Sequence, residues 1–419
     1  MRLFSALLLV LAASAQQGAR PKDVREAAKA GSNAIPKLQQ YLKDPSVDVR
    51  LEAVKQITEI GPPRSLDPLL LATQDNDPQV QALATDGLVN FYLPGYVKNG
   101  FGSSLRRVGT SIKGHFTDTN DQVIDAYITV RPDVIAAIAK LVQNGGSTDV
   151  RANAARALGV LRAKAAVPQL VQATHSKDST LIYESLVALQ KIHDESAGPQ
   201  IAFLLHDFDP KVQIAAIDTV GLLLDRGDLP QLVEVLNHTG NIKVKREALE
   251  SIAMLPEQSS RPLYQQYLRD KDEKLRAAAA EGFARLKNPQ DLPMIDQAWE
   301  EEQKTSPRLS LAFAEVMLGK TQVSELSPLR YLIDNLNSAA YNGIAFPFLV
   351  EVARDPRVRA QLYAPMETGT KAEKIGLAGV LARSGDAQSL AELKKLSNDG
   401  DADVSQAALT AVRNLQARL

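Results

Sequence analysis

Three short segments decide the fold: Asp178-Ser-Thr-Leu181, Asp209-Pro-Lys-Val212 and Asn241-Ile-Lys-Val244. Their apolar anchors, Leu181, Val212 and Val244, lie 31 and 32 residues apart. Four positions after each anchor comes a small residue (Ser185, Ala216, Ala248), and eight positions after it an aliphatic one (Leu189, Val220, Ile252). The spacing i, i+4, i+8 places all three on one face of a helix, so each anchor opens an amphipathic helix. A unit of this length copied in tandem packs on its neighbours rather than around one centre, which is the arrangement of an α-solenoid.

The same unit extends in both directions. Earlier anchors are Val24, Val49, Val80 and Val150, and later ones are Leu275, Leu309 and Val404. Ala28, Ala53, Ala84, Ala154, Ala279 and Ala408 fill the small position. An Asp three residues before the anchor (Asp77, Asp178, Asp209, Asp272, Asp401) is placed to cap the helix and to complement its positive end. A second series, Pro36, Pro68, Pro168, Pro199, Pro230, Pro262, Pro293 and Pro328, opens apolar segments such as Pro230-Gln-Leu-Val-Glu-Val-Leu236. Proline fits a first helical turn and not a helix interior, so this series marks a second helix in each unit. Two helices of roughly 10–13 residues with their turns fill one unit. The sequence therefore predicts an all-α solenoid of about eleven helix pairs.

A chain of 419 residues exceeds one ordinary globular core, and a repeat array avoids that limit. Aromatic residues are 5% against 45% hydrophobic, so Ala, Leu and Val carry the interior. The net charge of −1 gives no global attraction to nucleic acid or to an anionic membrane. With no cysteine there are no disulfides, thiolate metal sites or thiol nucleophile. Met1-Arg2, the apolar run Leu3 to Ala13 and Ala13-Ser14-Ala15 read as a secretory signal peptide over 1–15, too short to span a bilayer. The expectation is export to the periplasm or the extracellular space.

Asp44-Pro-Ser-Val-Asp-Val-Arg-Leu-Glu-Ala53-Val and Asp149-Val-Arg-Ala-Asn-Ala154-Ala-Arg-Ala-Leu158-Gly resemble the short HEAT-like repeat of the phycobilisome-lyase type. The resemblance covers nearly all of the mature chain. It implies a protein-binding scaffold, since similar arrays mostly act so, although a few members are enzymes. The HEAT-like iron hydroxylases carry His-Glu pairs, and none occurs in this chain. By analogy with similar arrays, Asp149, Arg151, Arg156 and their counterparts are expected to form hydrogen-bond ladders between repeats.

Two stretches break the rhythm, dividing the array into 21–337 and a less regular 338–419 that includes a cap. Val80 and Val150 are 70 residues apart, and residues 93–131 form an insertion between the two helices of one unit. Insertions in solenoids map to loops on one face, often the binding face. Here Leu105, Val108, Ile112 and Phe116 fall at helical spacing with Arg106, Arg107 and Lys113 among them, after Tyr96, Lys98 and Phe101 and beside His115. Basic residues beside an apolar stripe suit a partner protein or peptide, or a membrane surface. Alternatively the stripe folds back on the solenoid. Tyr96, Lys98, Phe101, Arg106, Arg107, Lys113, His115 and Phe116 are the candidate partner-binding residues. Pro347 and Pro356 mark the second break, between Ser338 and Thr370.

Catalytic signatures are wanting. Gly109 and Gly114 have P-loop spacing, but His115 stands where lysine is required. Gly100-Phe-Gly102 lacks the third glycine of a dinucleotide loop. Asp118-Thr-Asn120-Asp-Gln122 opens like a calcium loop, with Val123 in place of the turn glycine and Thr129 in place of the closing glutamate. His175, His206 and His238 each precede an anchor by six residues, a ladder of turn positions too far apart to share one metal. Asn237-His-Thr239 is a lone glycosylation sequon. The reading is an exported, non-catalytic scaffold, without cofactor or metal, that holds a protein or peptide on the concave face formed by the second helices and on the 93–131 insertion. Its alternatives are membrane-surface binding and a lyase-like activity on a bound protein.

Overall fold

The computed structural model describes residues 19–97 and 122–419. Residues 1–15, read as a signal peptide, and most of the insertion lie outside them. All regular secondary structure among the described residues is helical. Paired helices follow one another in order, an all-α solenoid that fits about eleven helix pairs. The chain divides into two compact units, residues 1–111 with 144–150 and residues 112–143 with 151–419.

The first unit holds the helices Pro21–Ala28, Ile35–Tyr41, Val47–Ile60, Leu66–Ala72 and Pro78–Tyr92. The anchors Val24, Val49 and Val80 are fully buried, as are Ala53 and Ala84 one turn later. Asp77 caps the last of these helices, accepting from the amides of Gln79 and Val80. That helix ends at Tyr92, and the next described helix begins at Pro132.

The second unit repeats the pattern with long helices, among them Ser179–Ile192, Pro210–Leu222, Ile242–Met254, Glu273–Leu286 and Thr305–Met317. Each follows a shorter one such as Leu229–His238 or Arg261–Tyr267. Side chains of Asp178, Asp209, Asn241, Asp272 and Asp401 accept from the first amides of their helices, satisfying donors that helix geometry leaves orphaned. Pro168, Pro199, Pro230, Pro262 and Pro293 all stand in the first turn of the shorter helices. The expected ladder is present in part: Arg156 pairs with Glu184 at 2.6 Å, Arg151 donates to the Val142 carbonyl at 2.8 Å, and Arg276, the counterpart of Arg151, pairs with Glu302 at 2.7 Å. Lys374 to Asp399 repeats the contact at 2.7 Å, and Arg50 to Asp75 does the same in the first unit. Arg276 also donates to the carbonyl of Asp270, and Arg308 donates in the same way to Glu302. Arg308 is thus the counterpart of Arg276, and the structural anchor of its helix is Pro307, two residues before Leu309.

Which layer faces inward is the reverse of the sequence expectation. Long helices of neighbouring pairs pack directly on one another, whereas most of the shorter ones chiefly touch the long helix that follows them. Arg285 on Glu273–Leu286 reaches Glu351 on Asn342–Val352 at 3.0 Å. It crosses the intervening Thr305–Met317 helix by lying over the ring of Phe313. A bond that skips one pair requires faces that converge, so the long, first helices line the inner face. The second helices do not. The irregular region keeps the two layers: Asn342–Val352 carries Pro347, and two short helices, Pro356–Gln361 and Tyr363–Thr368, replace one.

The two ends of the second unit meet. The Ile124 amide donates to the Val160 carbonyl at 3.0 Å, and the Ala126 amide donates to Oδ1 of Asn414 on the last helix, Ala402–Gln416, at 2.8 Å.

Candidate functional site

Counting nine residues from each helix cap gives one inward position: Asp218, Glu250 and Glu281, after the caps Asp209, Asn241 and Asp272. Glu247 stands one turn earlier on the same helix as Glu250. At the far end of this row the carboxylate is paired. Glu281 is buried and accepts from Arg285 at 3.2 Å and from the Ser310 hydroxyl at 3.1 Å, while Arg285 also holds Glu351. Burial pushes the Glu281 carboxyl up, and Arg285 draws it part of the way back. Burial opposes the charge on Arg285 too, but Glu281 and Glu351 outweigh it.

The middle of the row has no ion pair of this kind, although Lys274 draws the Glu247 and Glu250 carboxyls part of the way back. Asp218 accepts from Gln190 Nε2 at 3.0 Å, and Asp218, Glu247 and Glu250 make no ion pair among the described residues. Burial pushes Asp218 up to about 6. Glu250 is raised to about 7, first by burial and then by its neighbours Glu281 and Asp218. Glu247 is raised further by burial and by Glu250. The surface of Glu250 is open, yet protein surrounds it at longer range. The nearby carboxylates of Glu281 and Asp218 disfavour its charged form as well.

A cavity of about 700 Å³ opens on the same face where the ends of the unit meet. Its walls are the 123–126 strap and Arg162 on one side, and the Lys371–Ser384 and Ala402–Gln416 helices on the other.

Of the residues proposed from the sequence, only Tyr96 is described. It is half-buried just beyond the helix end, where Asn90 Oδ1 accepts from the amides of Gly95 and Val97. Lys98, Phe101, Arg106, Arg107, Lys113, His115 and Phe116 lie outside the described residues. The three histidines stand apart at the ends of successive shorter helices, His175 just after Val167–Ala173, His206 closing Ala202–His206 and His238 closing Leu229–His238. His175 stacks on Phe203 with ring centroids 4.4 Å apart, and His238 Nδ1 lies 2.9 Å from the carbonyl of Glu234. No group of three or more His, Asp or Glu among the described residues could hold a metal ion. No described helix is long and apolar enough to cross a membrane. The inward carboxylates were missed in the sequence, although an acid recurring at one helical phase in three successive units was a readable signal.

A family model described as HEAT repeats matches residues 5–95, 135–221 and 229–314. No curated protein matches the sequence. Solved structures that it resembles include an engineered protein, 17% identical, covering 94% of this chain and 99% of that one with a TM-score of 0.35. Another is the complex of CpcE and CpcF of phycocyanin lyase from Nostoc sp. PCC7120, 16% identical, covering 65% and 94% with a TM-score of 0.39. A third is human deoxyhypusine hydroxylase in complex with glycerol, 18% identical, covering 67% and 96% with a TM-score of 0.28.

Proposed function

Because the chain belongs to the HEAT-repeat family, we propose that it is an exported, non-catalytic scaffold that seats a basic segment of a protein or peptide on the inner face of its second unit. The observation that supports this reading is the row Asp218, Glu247 and Glu250, three carboxylates on one inner face that make no ion pair among the described residues and that have Lys274 as the cation acting on two of them. Desolvated negative charge is costly when unpaired, and a lysine or arginine from a partner would relieve that cost. Solenoids offer such long inner surfaces to extended partners. The insertion over 93–131 is the second contact in this reading, its cations meeting acidic parts of the same partner.

The test is a fluorescence titration of the full chain with labelled decalysine, decaglutamate and a neutral glycine-serine decapeptide. Decalysine should bind tightest, and the variant Asp218→Asn/Glu247→Gln/Glu250→Gln should weaken it by about tenfold or more. Equal affinity for the three peptides, or an unaffected triple variant, removes the inner face from the function. Deleting 98–121 should lower recovery of the native partner in a pull-down. Sedimentation of the intact chain with anionic liposomes at low salt would instead point to a membrane surface.

A further inference from the structure

We propose that the cavity where the ends of the second unit meet is a binding site for a carboxylate with an apolar body. This goes beyond the scaffold reading, because it concerns a different part of the inner face and the opposite charge. A volume of about 700 Å³ lies within the range of roughly 300–1,000 Å³ that small-molecule sites occupy. The room comes from a local change in the repeat. At the ninth position after the cap, where the middle of the unit carries Asp218, Glu250 and Glu281, the last two long helices carry Gly379 and Thr410. Ala382, Ala407 and Ala411 complete a floor of small side chains. The change empties the space and removes the negative charge together.

The charge left at this place is positive. Arg162 comes from one wall, and Arg383 and Arg418 come from the other. Arg162 is exposed and has no carboxylate partner among the described residues. Arg418 donates to the Gly385 carbonyl at 3.1 Å, and Arg383 lies over the ring of Phe346. Three arginines stand against two carboxylates in the walls, so the balance is positive. Asp125 accepts from Asn414 at 2.9 Å, and Asp403 is paired with Lys371 at 2.6 Å. Guanidinium groups above an apolar floor select an anion with a hydrophobic body, and the planar fork of arginine favours a carboxylate. Because the walls come from opposite ends of the unit, the site is whole only while those ends are joined. Occupancy must then stabilise the junction by linkage.

The test is calorimetric titration of the full chain with 3-phenylpropionate and octanoate, each beside its amide and its amine analogue. A tripeptide with a free or an amidated carboxyl end separates a peptide terminus from a small metabolite as the source of the carboxylate. The acids should bind at least about tenfold more tightly than the amides and amines. Arg162→Glu, an exposed substitution, should abolish the difference. So should Thr410→Glu, which introduces the acid that Asp218, Glu250 and Glu281 carry at this position. Hydrogen exchange of residues 122–131 should slow when 3-phenylpropionate is bound. The proposal is overturned if no acid in the panel binds, if amides bind as well as acids, or if both variants keep the wild-type preference. Failure of decalysine to bind would leave it untouched, since the two sites bear opposite charge.

Discussion

Asn414 holds Asp125 from 289 positions earlier in the chain: its Nδ2 donates to Asp125 Oδ1 at 2.9 Å while its own Oδ1 accepts the Ala126 amide at 2.8 Å. One carboxamide thus uses its donor and its acceptor on the same short strap. The last helix of an array ordinarily faces solvent and needs a polar cap. Here the last part of the insertion is bonded to it through Asn414.

Asn414→Ala should remove both bonds and leave the Asp125 carboxylate and the Ala126 amide to water. The expected cost is about 1–3 kcal/mol, as for the loss of hydrogen bonds that include a charged group. Asn414→Asp should open the junction further, because it offers no donor and sets a second carboxylate against Asp125. Hydrogen exchange of residues 122–131 and the urea midpoint report these effects. Unchanged exchange in both variants would mean that packing of Ile124 and Val130, not the amide, holds the strap.

Arg285→Met should be among the most damaging single changes. It strands Glu281, which is buried, and frees Glu351, at about 3–5 kcal/mol for breaking a buried pair. Adding Glu281→Gln should recover a large part of the loss, since the stranded charge is then gone. A double-mutant cycle in denaturant measures this coupling. Strictly additive losses would show that Arg285 acts through its contact with Phe313 alone.

The helix pairs, their caps and their proline starts were legible because they recur: Asp209 and Val212 serve one helix by local rules that need no partner far away. The inner layer was not legible. Periodicity shows which side of a helix is buried, and in a two-layer array both helices of a pair have such a side. Only the reach of Arg285 over Phe313 to Glu351 distinguishes them, a contact across 66 positions. The junction was equally hidden, since nothing in Asp125 or Asn414 marks one for the other. The shift from Leu309 to Pro307 has a simpler cause. Leu309 is itself fully buried, so an apolar pattern alone accepts either register, and the ladder position of Arg308 decides between them.

Gly159 and Gly221 mark where neighbouring long helices come closest. A Cβ at Gly159 would lie 2.7 Å from Ala188 Cα, and one at Gly221 would lie 2.8 Å from Ser251 Cα. The obstructing atoms are backbone, so no rotamer relieves them. Gly159→Ala and Gly221→Ala should each cost about 1–3 kcal/mol, the usual penalty of overpacking, despite the higher helix propensity of alanine. Gly240→Ala, with nothing within 4 Å, should stay within about 0.5 kcal/mol of wild type. Equal midpoints for the three variants would refute the close approach.

Asp218 and Glu250 give the inner face a pH dependence of definite sign. Their folded-state values, about 6 and about 7, stand above those of the unfolded chain, so the folded state retains protons that the unfolded state has already released. Their contribution to stability is complete below the unfolded values and is lost as pH rises through the folded ones. Asp218→Asn/Glu250→Gln should therefore gain on wild type between about pH 4 and pH 7, with a level difference above that range. Carboxylates held low by partners, such as Asp272 with Arg246 and Asp399 with Lys374, act in the opposite direction but at lower pH, and they are common to both proteins. The same linkage governs a basic partner. A cation on the row favours the charged carboxylates, so decalysine binding should release protons near about pH 6.5 and tighten as pH rises. Calorimetry in two buffers of different ionisation enthalpy counts those protons. Binding without proton release, or binding that weakens between pH 6 and 7, would place the basic segment somewhere other than beside Asp218 and Glu250.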